Sequence, residues 1–356
     1  MPKVIVIGSG IIGLTAAYYI KKAEPSLRVS IVARDMPKHP CDPGDAWIQG
    51  EWASPYGGAI FCPSFNPTEQ VKAIERETYR HYWEIAHRDP GAGVEFCPMR
   101  SYYDQSVVTD PDNELFGHDF MHDYRRIPKE ELPPGVTGGI EALGFVVNPR
   151  VYLPWLRAQL EDMGVKFVRG DLTSIGQVVK KFWPAVMVNA TGLGSSYIRG
   201  VRDGAVVPVR GQVAIARLEN YPQSKGYYIR HGYEFTYVIP KPLSDNLVTL
   251  GGVSQEGSTL KEVDKETHDS IISRSANLVP SAQIDSSKVI DDVVAFRPGR
   301  YGGYRLELSR RGIPIVHAYG FEGNGYIMSG GVGKVIVSHV QRTLGLKQTR
   351  PKEAKL

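Results

Sequence analysis

The chain has 356 residues, 42 % hydrophobic and 22 % charged, with a formal net charge of +4. Length points to two domains of roughly 150 residues each, and a chain of this size buries about three quarters of its unfolded surface, enough to enclose a large cofactor. Basic residues fall in scattered pairs such as Lys21-Lys22, Arg125-Arg126 and Arg310-Arg311, so the clustered face that nucleic acids need is missing, and no apolar stretch approaches the ~18 to 20 residues of a membrane span.

Lys3 to Ile7 is a short β-branched run, the pattern of a strand buried on both faces. With a strand starting this early, no signal or transit peptide is expected. Gly8-Ser9-Gly10-Ile11-Ile12-Gly13 follows, then a helix over Leu14–Lys22 and a second strand over Arg28–Ala33 that ends at Arg34-Asp35. Strand, glycine turn, helix and strand within about 32 residues make a βαβ unit. Between about 40 and 66 both periods vanish, and the glycines and prolines of that stretch predict a long functional loop. Helices are predicted over 68–87, Arg150–Met163, 262–279 and Gly330–Leu344. A strand over Ala185–Asn189 runs into Ala190-Thr191-Gly192, and 205–255 alternates as antiparallel strands do. Parallel-type segments therefore lie at both ends and in the middle, with antiparallel material inserted twice. Cys41, Cys62 and Cys97 lack metal-ligand spacing and suit packing thiols in a reducing compartment.

In the glycine pattern the first Gly permits a tight turn, the second admits a diphosphate, and the third lets helix and strand pack closely. The diphosphate rests on the helix N-terminus, where free N–H groups and the dipole favour anions. Which dinucleotide binds is less direct. Arg34 could hold the 2′-phosphate of NADP, or lie over an adenine while Asp35 takes the ribose. The Asn189–Gly192 strand end, of a kind that recurs in flavoproteins with extended FAD, together with the lack of a second GxGxxG, favours FAD. There is no His-Glu-x-x-His, Gly-x-Ser-x-Gly or Cys-x-x-Cys, and the histidines are scattered; His317, at a strand end, reads as structural. Two clusters could recognise substrate: Tyr233 to Pro240, and Phe296-Arg297-Pro298-Gly299-Arg300. Tyrosines at a strand start usually pack, and an Arg before a strand usually makes an ion pair. Yet an Arg is also the natural two-pronged partner of a carboxylate.

In order, Gly8–Gly13, Ala33-Arg34-Asp35, Asn189–Gly192, Pro208–Gln212, Tyr237–Pro240, Thr249–Gly252, Arg297–Arg300 and His317–Gly320 resemble the D-amino-acid oxidases and the related D-aspartate oxidases. The resemblance implies an α/β fold: a Rossmann-like FAD-binding domain of discontinuous sequence (1–50, 140–200 and 285–356) plus a substrate domain (51–139 and 201–284) on a mainly antiparallel mixed β-sheet. It implies that FAD lies against Gly8, Gly10, Ile11, Ile12 and Gly13, with Arg34 and Asp35 at its adenosine end. Ala53, Ser54, Gly57, Gly58 and Ala59 are a second set of cofactor contacts, Leu172, Ala190, Thr191 and Gly192 a third. Gly325, Tyr326, Ile327 and Met328 line the flavin.

By the same resemblance Arg300 grips the substrate carboxylate and touches the cofactor, Tyr237 assists it, Tyr233 belongs to a lid, and the Gly323 carbonyl accepts from the substrate amine. The implied reaction is oxidative deamination of a D-amino acid. Hydride passes from Cα to flavin N5, the imino acid hydrolyses to keto acid and ammonia, and O₂ is reduced to H₂O₂. Orientation replaces a general base. Arg230 stands where D-aspartate oxidases carry a side-chain-reading arginine, whereas Ser64 and Ser254 depart from the His and Arg of those enzymes. A broad D-amino-acid oxidase is expected, with a D-aspartate oxidase as the alternative. An NADP-linked reductase and a non-catalytic nucleotide-binding protein remain as readings outside the class. Ala354-Lys355-Leu356 differs by one small residue from the Ser-Lys-Leu peroxisomal address, so the import receptor and a peroxisomal location are expected. Relatives are often dimers, so a homodimer is one assembly the resemblance allows.

Overall fold

The computed structural model describes residues 1–39, 52–104, 117–219, 221 and 223–347. In chain order the elements begin β1 (Lys3–Ile7), α1 (Ile11–Ala23), β2 (Arg28–Ala33), α2 (Glu69–Arg88), β3 (Val94–Tyr103), β4 (Arg125–Arg126) and β5 (Gly138–Val147). There follow α3 (Pro149–Asp162), β6 (Lys166–Arg169), α4 (Ile175–Phe182), β7 (Val186–Asn189), β8 (Val206–Arg217), β9 (Tyr227–His231) and β10 (Thr236–Pro240). The chain closes with β11 (Leu247–Gly251), β12 (Gln255–Glu256), α5 (Lys265–Leu278), β13 (Val289–Arg300), β14 (Arg305–Ser309), β15 (Ile315–Tyr319) and α6 (Gly325–Leu344).

Two compact units result, each of discontinuous sequence. One comprises Met1–Pro55, Leu153–Val209 and Phe296–Leu356; the other Tyr56–Tyr152 and Arg210–Ala295. The boundary expected at 140 falls instead at Leu153, because β5 pairs along its whole length with β3 in the second unit.

The first unit holds a six-stranded sheet in the order β14-β15-β7-β1-β2-β6, parallel throughout except for β14 at the edge. Val4 to Ile7 are buried, as a strand covered on both faces demands. Ile5, Ile7, Val32 and Met187 pack with Ile175 and Val178 of α4. Periodicity did not reveal that short helix, but Ser174 and Gln177 form a capping box at its start. α6 begins at Gly325, five residues before the predicted Gly330, since the glycines there read as loop. His317 is buried, with Nδ1 3.2 Å from the Asn189 side-chain nitrogen, which joins β15 to β7.

The second unit is built on a mixed sheet in the order β12-β8-β11-β10-β9-β3-β5-β4, with β13 added against β8. From β8 through β4 its pairings are antiparallel except β3 with β9. Tyr102, Val238, Val248 and Leu250 meet Ile271 and Ile272 of α5 in one core. Phe61, Tyr79, Tyr82 and Phe145 make a second, each ring contributing about 1.5–3 kcal/mol by leaving water. Arg210 is fully buried and donates to the Leu260 and Glu262 carbonyls and to Gln255 and Gln212. Among the described residues no helix is long and apolar enough to cross a membrane, and no cluster of His, Cys, Asp and Glu could hold a metal.

Burial lowers the pKa of His231 to about 4, and burial together with the Arg305 charge does the same for His317. Both are neutral in the fold, so their contribution is intact above the ordinary 6.5 and lost as pH falls from 6.5 towards 4, where only the unfolded chain gains the protons. His317→Asn is therefore expected to lose less stability than the parent between pH 7 and pH 5 in urea-unfolding midpoints. Equal losses would contradict this assignment.

Candidate active site

In the first unit the chain turns between β1 and α1 with almost no room to spare. Gly8 adopts φ +103°, and a Cβ there would lie 2.3 Å from the Ala190 carbonyl oxygen. A Cβ at Gly13 would lie 2.2 Å from the Gly8 carbonyl oxygen. Only glycine lets α1 settle this closely on the ends of β1 and β7. Gly10, the N-cap of α1, supplies no side-chain cap, and Ile12 and its neighbours in the first turn add no acidic residue. That end of α1 keeps its positive potential.

α6 starts beside it: a Cβ at Gly325 would lie 3.3 Å from Ile11. Ser54 ties the two starts together. Its hydroxyl accepts from the Ile11 N–H at 3.1 Å, and its carbonyl accepts from the Tyr326 hydroxyl at 2.8 Å. Half-buried Ala53 precedes it, and Ile327 and Met328 complete the first turn of α6. The Asn189 carboxamide oxygen accepts from the Thr191 hydroxyl at 2.8 Å and its N–H at 3.3 Å, which fixes the Ala190–Gly192 turn. Leu172 packs, partly buried, on the Ile7–Val32–Val178 core.

Asp35 carries the most informative atom of this cradle. Its Oδ2 pairs with Arg34 Nε at 3.0 Å, while its Oδ1 is buried with no hydrogen-bond partner in the protein. A buried carboxylate oxygen left unmatched is costly and calls for a donor such as a ribose hydroxyl. The Arg34 guanidinium is already balanced by Asp35, a poor start for an NADP 2′-phosphate. The residues present thus fit a dinucleotide with a free ribose edge, as FAD has.

β13 ends in the arginine pair. Side chains alternate along a strand, so Arg297 and Arg300, three apart, leave opposite faces. Arg300 makes three bonds inside the protein. Its Nε pairs with Asp203 Oδ2 at 2.9 Å, and its Nη1 donates to the Gly303 and Tyr301 carbonyls at 2.9 and 3.3 Å. Asp203 also accepts from the Tyr319 hydroxyl at 2.8 Å and the Ala205 N–H at 3.0 Å. Burial acts to raise the Asp203 pKa, but the bonds from Arg300, Tyr319 and Ala205 outweigh it and hold the carboxyl at about 2. The carboxylate-gripping and cofactor roles expected of Arg300 thus fall on a side chain whose Nε and Nη1 serve Asp203 and two carbonyls. Arg297 is the arginine beside Gly323, where a Cβ would lie 3.7 Å from its Cδ and 3.9 Å from its Nε. Strand parity was the signal that separates the two.

In the second unit Tyr237 faces Gly251 across the β10–β11 pair, and its ring lies so close that a Cβ at Gly252 would come within 2.6 Å of it. Gly58 closes another side, 3.7 Å from the ring by the same measure, and Ala59 follows at φ 49°; Gly57 precedes them, half-buried. Tyr233 is 98 % exposed on the β9–β10 loop, as a lid residue would be. Phe235 stacks edge-on against Tyr237 at 5.4 Å, His231 lies 5.2 Å from Phe235, and Phe65 lies 5.1 Å from His231.

Arg230 does not join this wall. It pairs with Thr236, not Tyr237, so it leaves the opposite face of the sheet. There it binds Asp104 at 3.1 Å and the Gly135 carbonyl at 3.3 Å. Its expected role as reader of an acidic side chain is corrected on both counts, face and charge. Ser64, where a His was the aspartate-oxidase mark, donates its N–H and hydroxyl to buried Glu75, whose carboxyl burial raises in pKa.

With this geometry in place the comparisons are decisive. The FAD dependent oxidoreductase family matches residues 3–339. The chain belongs to the D-amino-acid oxidase family of FAD dependent oxidoreductases. It is 30 % identical over 360 residues to a D-amino-acid oxidase of Fusarium vanettenii, covering 95 % of this chain and 96 % of the relative. A D-amino-acid oxidase of Schizosaccharomyces pombe is 29 % identical over 91 % of each chain, and a D-aspartate oxidase of Talaromyces thermophilus 26 % over 96 % of each. The fold is shared with glycine oxidase from Geobacillus kaustophilus, at TM-score 0.72 and 16 % identity, over 98 % of this chain and 96 % of that one. The chain is thus an oxidoreductase with FAD as its cofactor.

Arg300→Met is expected to cost ~3 kcal/mol in unfolding free energy, since it strands the Asp203 charge, while changing KM for an amino acid less than about twofold. A large KM rise at unchanged stability would return the carboxylate to Arg300.

Proposed function

We propose that the enzyme is an oxidase of neutral D-amino acids. It removes the Cα hydrogen with its electron pair, releases an imino acid that hydrolyses to keto acid and ammonia, and passes the electrons to O₂ to give H₂O₂. The observation that carries the reading is Arg297 beside Gly323: a two-pronged donor for a carboxylate next to a backbone able to accept from an amine, the two groups every α-amino acid offers. The D configuration is taken from the names of the relatives.

Bound FAD supplies the electron acceptor. The protein's own contribution is binding and orientation, which in well-aligned systems reaches ~7–11 kcal/mol. Arg297 fixes the carboxylate and the Gly323 carbonyl fixes the amine. Two fixed groups leave the Cα–H one orientation, so no base is needed to choose it.

The wall of Tyr237, Phe235, His231 and Phe65 supports a neutral substrate, apolar or aromatic. It carries no cation at neutral pH, because burial holds His231 neutral, and Arg230 lies on the other face with Asp104. Among the described residues this wall offers no cation to D-aspartate, the acidic alternative. Ala354-Lys355-Leu356 lies outside the described residues; we propose that it directs the peroxide-forming enzyme to peroxisomes.

The test is peroxide release across a panel of D- and L-amino acids, for the parent and for Arg297→Lys. Activity is expected on D-phenylalanine and D-alanine, little on D-aspartate and none on L-enantiomers. Replacing the fork by a point charge should cut kcat/KM by ~10–100-fold, the loss of one charge-assisted bond. Turnover of L-enantiomers alone, or full activity in Arg297→Lys, would overturn the proposal.

A further inference from the structure

The β9–β10 loop that bears Tyr233 is held at one end by a single side chain of another element. Arg274, on α5, is 15 % exposed. Its Nη1 donates to the Phe235 carbonyl at 2.9 Å and to the Thr236 hydroxyl at 2.7 Å. Its Nη2 donates to the Gly252 carbonyl at 3.3 Å, and its Nε lies 3.3 Å from Glu234 Oε2 and 3.1 Å from Ser270 Oγ. Gly252 in turn donates its N–H to the Phe235 carbonyl at 3.0 Å. One guanidinium therefore joins the C-terminal root of the loop to the glycine backbone on which the Tyr237 ring lies.

These five contacts differ in kind. Phe235, Thr236 and Gly252 are reached on strand ends or their immediate flanks, and Ser270 lies one turn back on α5 itself. Glu234 is the one contact out on the loop, and its side chain is 53 % exposed. An ion pair so open to solvent contributes little and yields to salt, whereas the inner hydrogen bonds are sheltered. The clasp thus has a fixed end at Phe235–Thr236 and a releasable end at Glu234, next to Tyr233.

We infer, on the reading that the enzyme binds D-amino acids, that Arg274 is a positioning residue that sets the Tyr233 loop and the Tyr237 floor as one piece, with Glu234 as its releasable end. The role needs the guanidinium fork: Nη1 reaches acceptors at the start of β10 and Nη2 one just past β11 while Nε faces Glu234, which a single ammonium cannot do together. The loop then pivots at Glu234 while Phe235 stays against Tyr237. Substrate binding uses the pivot; the electron-transfer step, carried by groups outside this loop, does not.

The test is steady-state kinetics of the holoenzyme with D-alanine, for Arg274→Gln, Arg274→Lys and Glu234→Gln, alongside cleavage after Tyr233 by chymotrypsin, read by mass spectrometry. Arg274→Gln should raise KM about tenfold, the worth of one charge-assisted bond, with kcat within about threefold and faster cleavage after Tyr233. Arg274→Lys should recover only part of KM. Glu234→Gln should change KM little but abolish its rise with ionic strength. Equal falls in kcat and kcat/KM with unchanged KM, or cleavage no faster than in the parent, would overturn the inference. Cleavage is read without turnover, so an inactive parent would sink the oxidase reading and leave the clasp to be judged by proteolysis alone.

Discussion

Gly8 and Gly13 sit where the carbonyl oxygens of Ala190 and Gly8 leave no space for a Cβ. Any side chain at either position would lift α1 off the ends of β1 and β7. That close approach decides what the rest of the first unit can do. It aims the N-terminus of α1 at the end of the sheet, brings the start of α6 beside it through Gly325, and lets Ser54 bond to both. Two residues past β2, the unmatched Asp35 oxygen is the atom of this cradle that a ribose hydroxyl would satisfy. The same contact places Gly323, two residues before the start of α6.

Arginine chemistry divides the labour. Arg210 ties β8 to the 255–262 segment, Arg230 neutralises Asp104, Arg274 clasps a loop, and Arg300 anchors Asp203. Each satisfies protein acceptors, as a partly buried guanidinium must. Arg297 is distinguished by its neighbour, Gly323. What each arginine does therefore rests on where its guanidinium is placed, and net charge says nothing about it.

How much of this was legible in the sequence follows from the range of each determinant. The βαβ unit was readable because its glycines act within six residues and their spacing has one physical reason. β1 and β2 came out at their observed bounds, since buried parallel strands are continuous apolar runs. The arginines were not readable at the same level. Choosing Arg297 over Arg300 takes the parity of β13 and sight of Asp203, 97 residues away. Moving Arg230 off the substrate face takes the pairing of β9 with β10, which a one-residue slip would reverse. Arg274 was missed because its partners are backbone carbonyls, which leave no mark on composition or spacing. α4 was missed as a short helix, although its capping box was present.

The central claim is that Arg297, and not Arg300, receives the carboxylate of the substrate. Binding of benzoate, a carboxylate without an amine, to the FAD-loaded enzyme tests it most directly when followed by the visible flavin spectrum. Titrations of Arg297→Ala and Arg300→Ala are to be compared with the parent at equal flavin content. The account predicts that Arg297→Ala abolishes the spectral change, while Arg300→Ala binds benzoate within about threefold of the parent. Tight binding by Arg297→Ala together with its loss in a folded Arg300→Ala would contradict it.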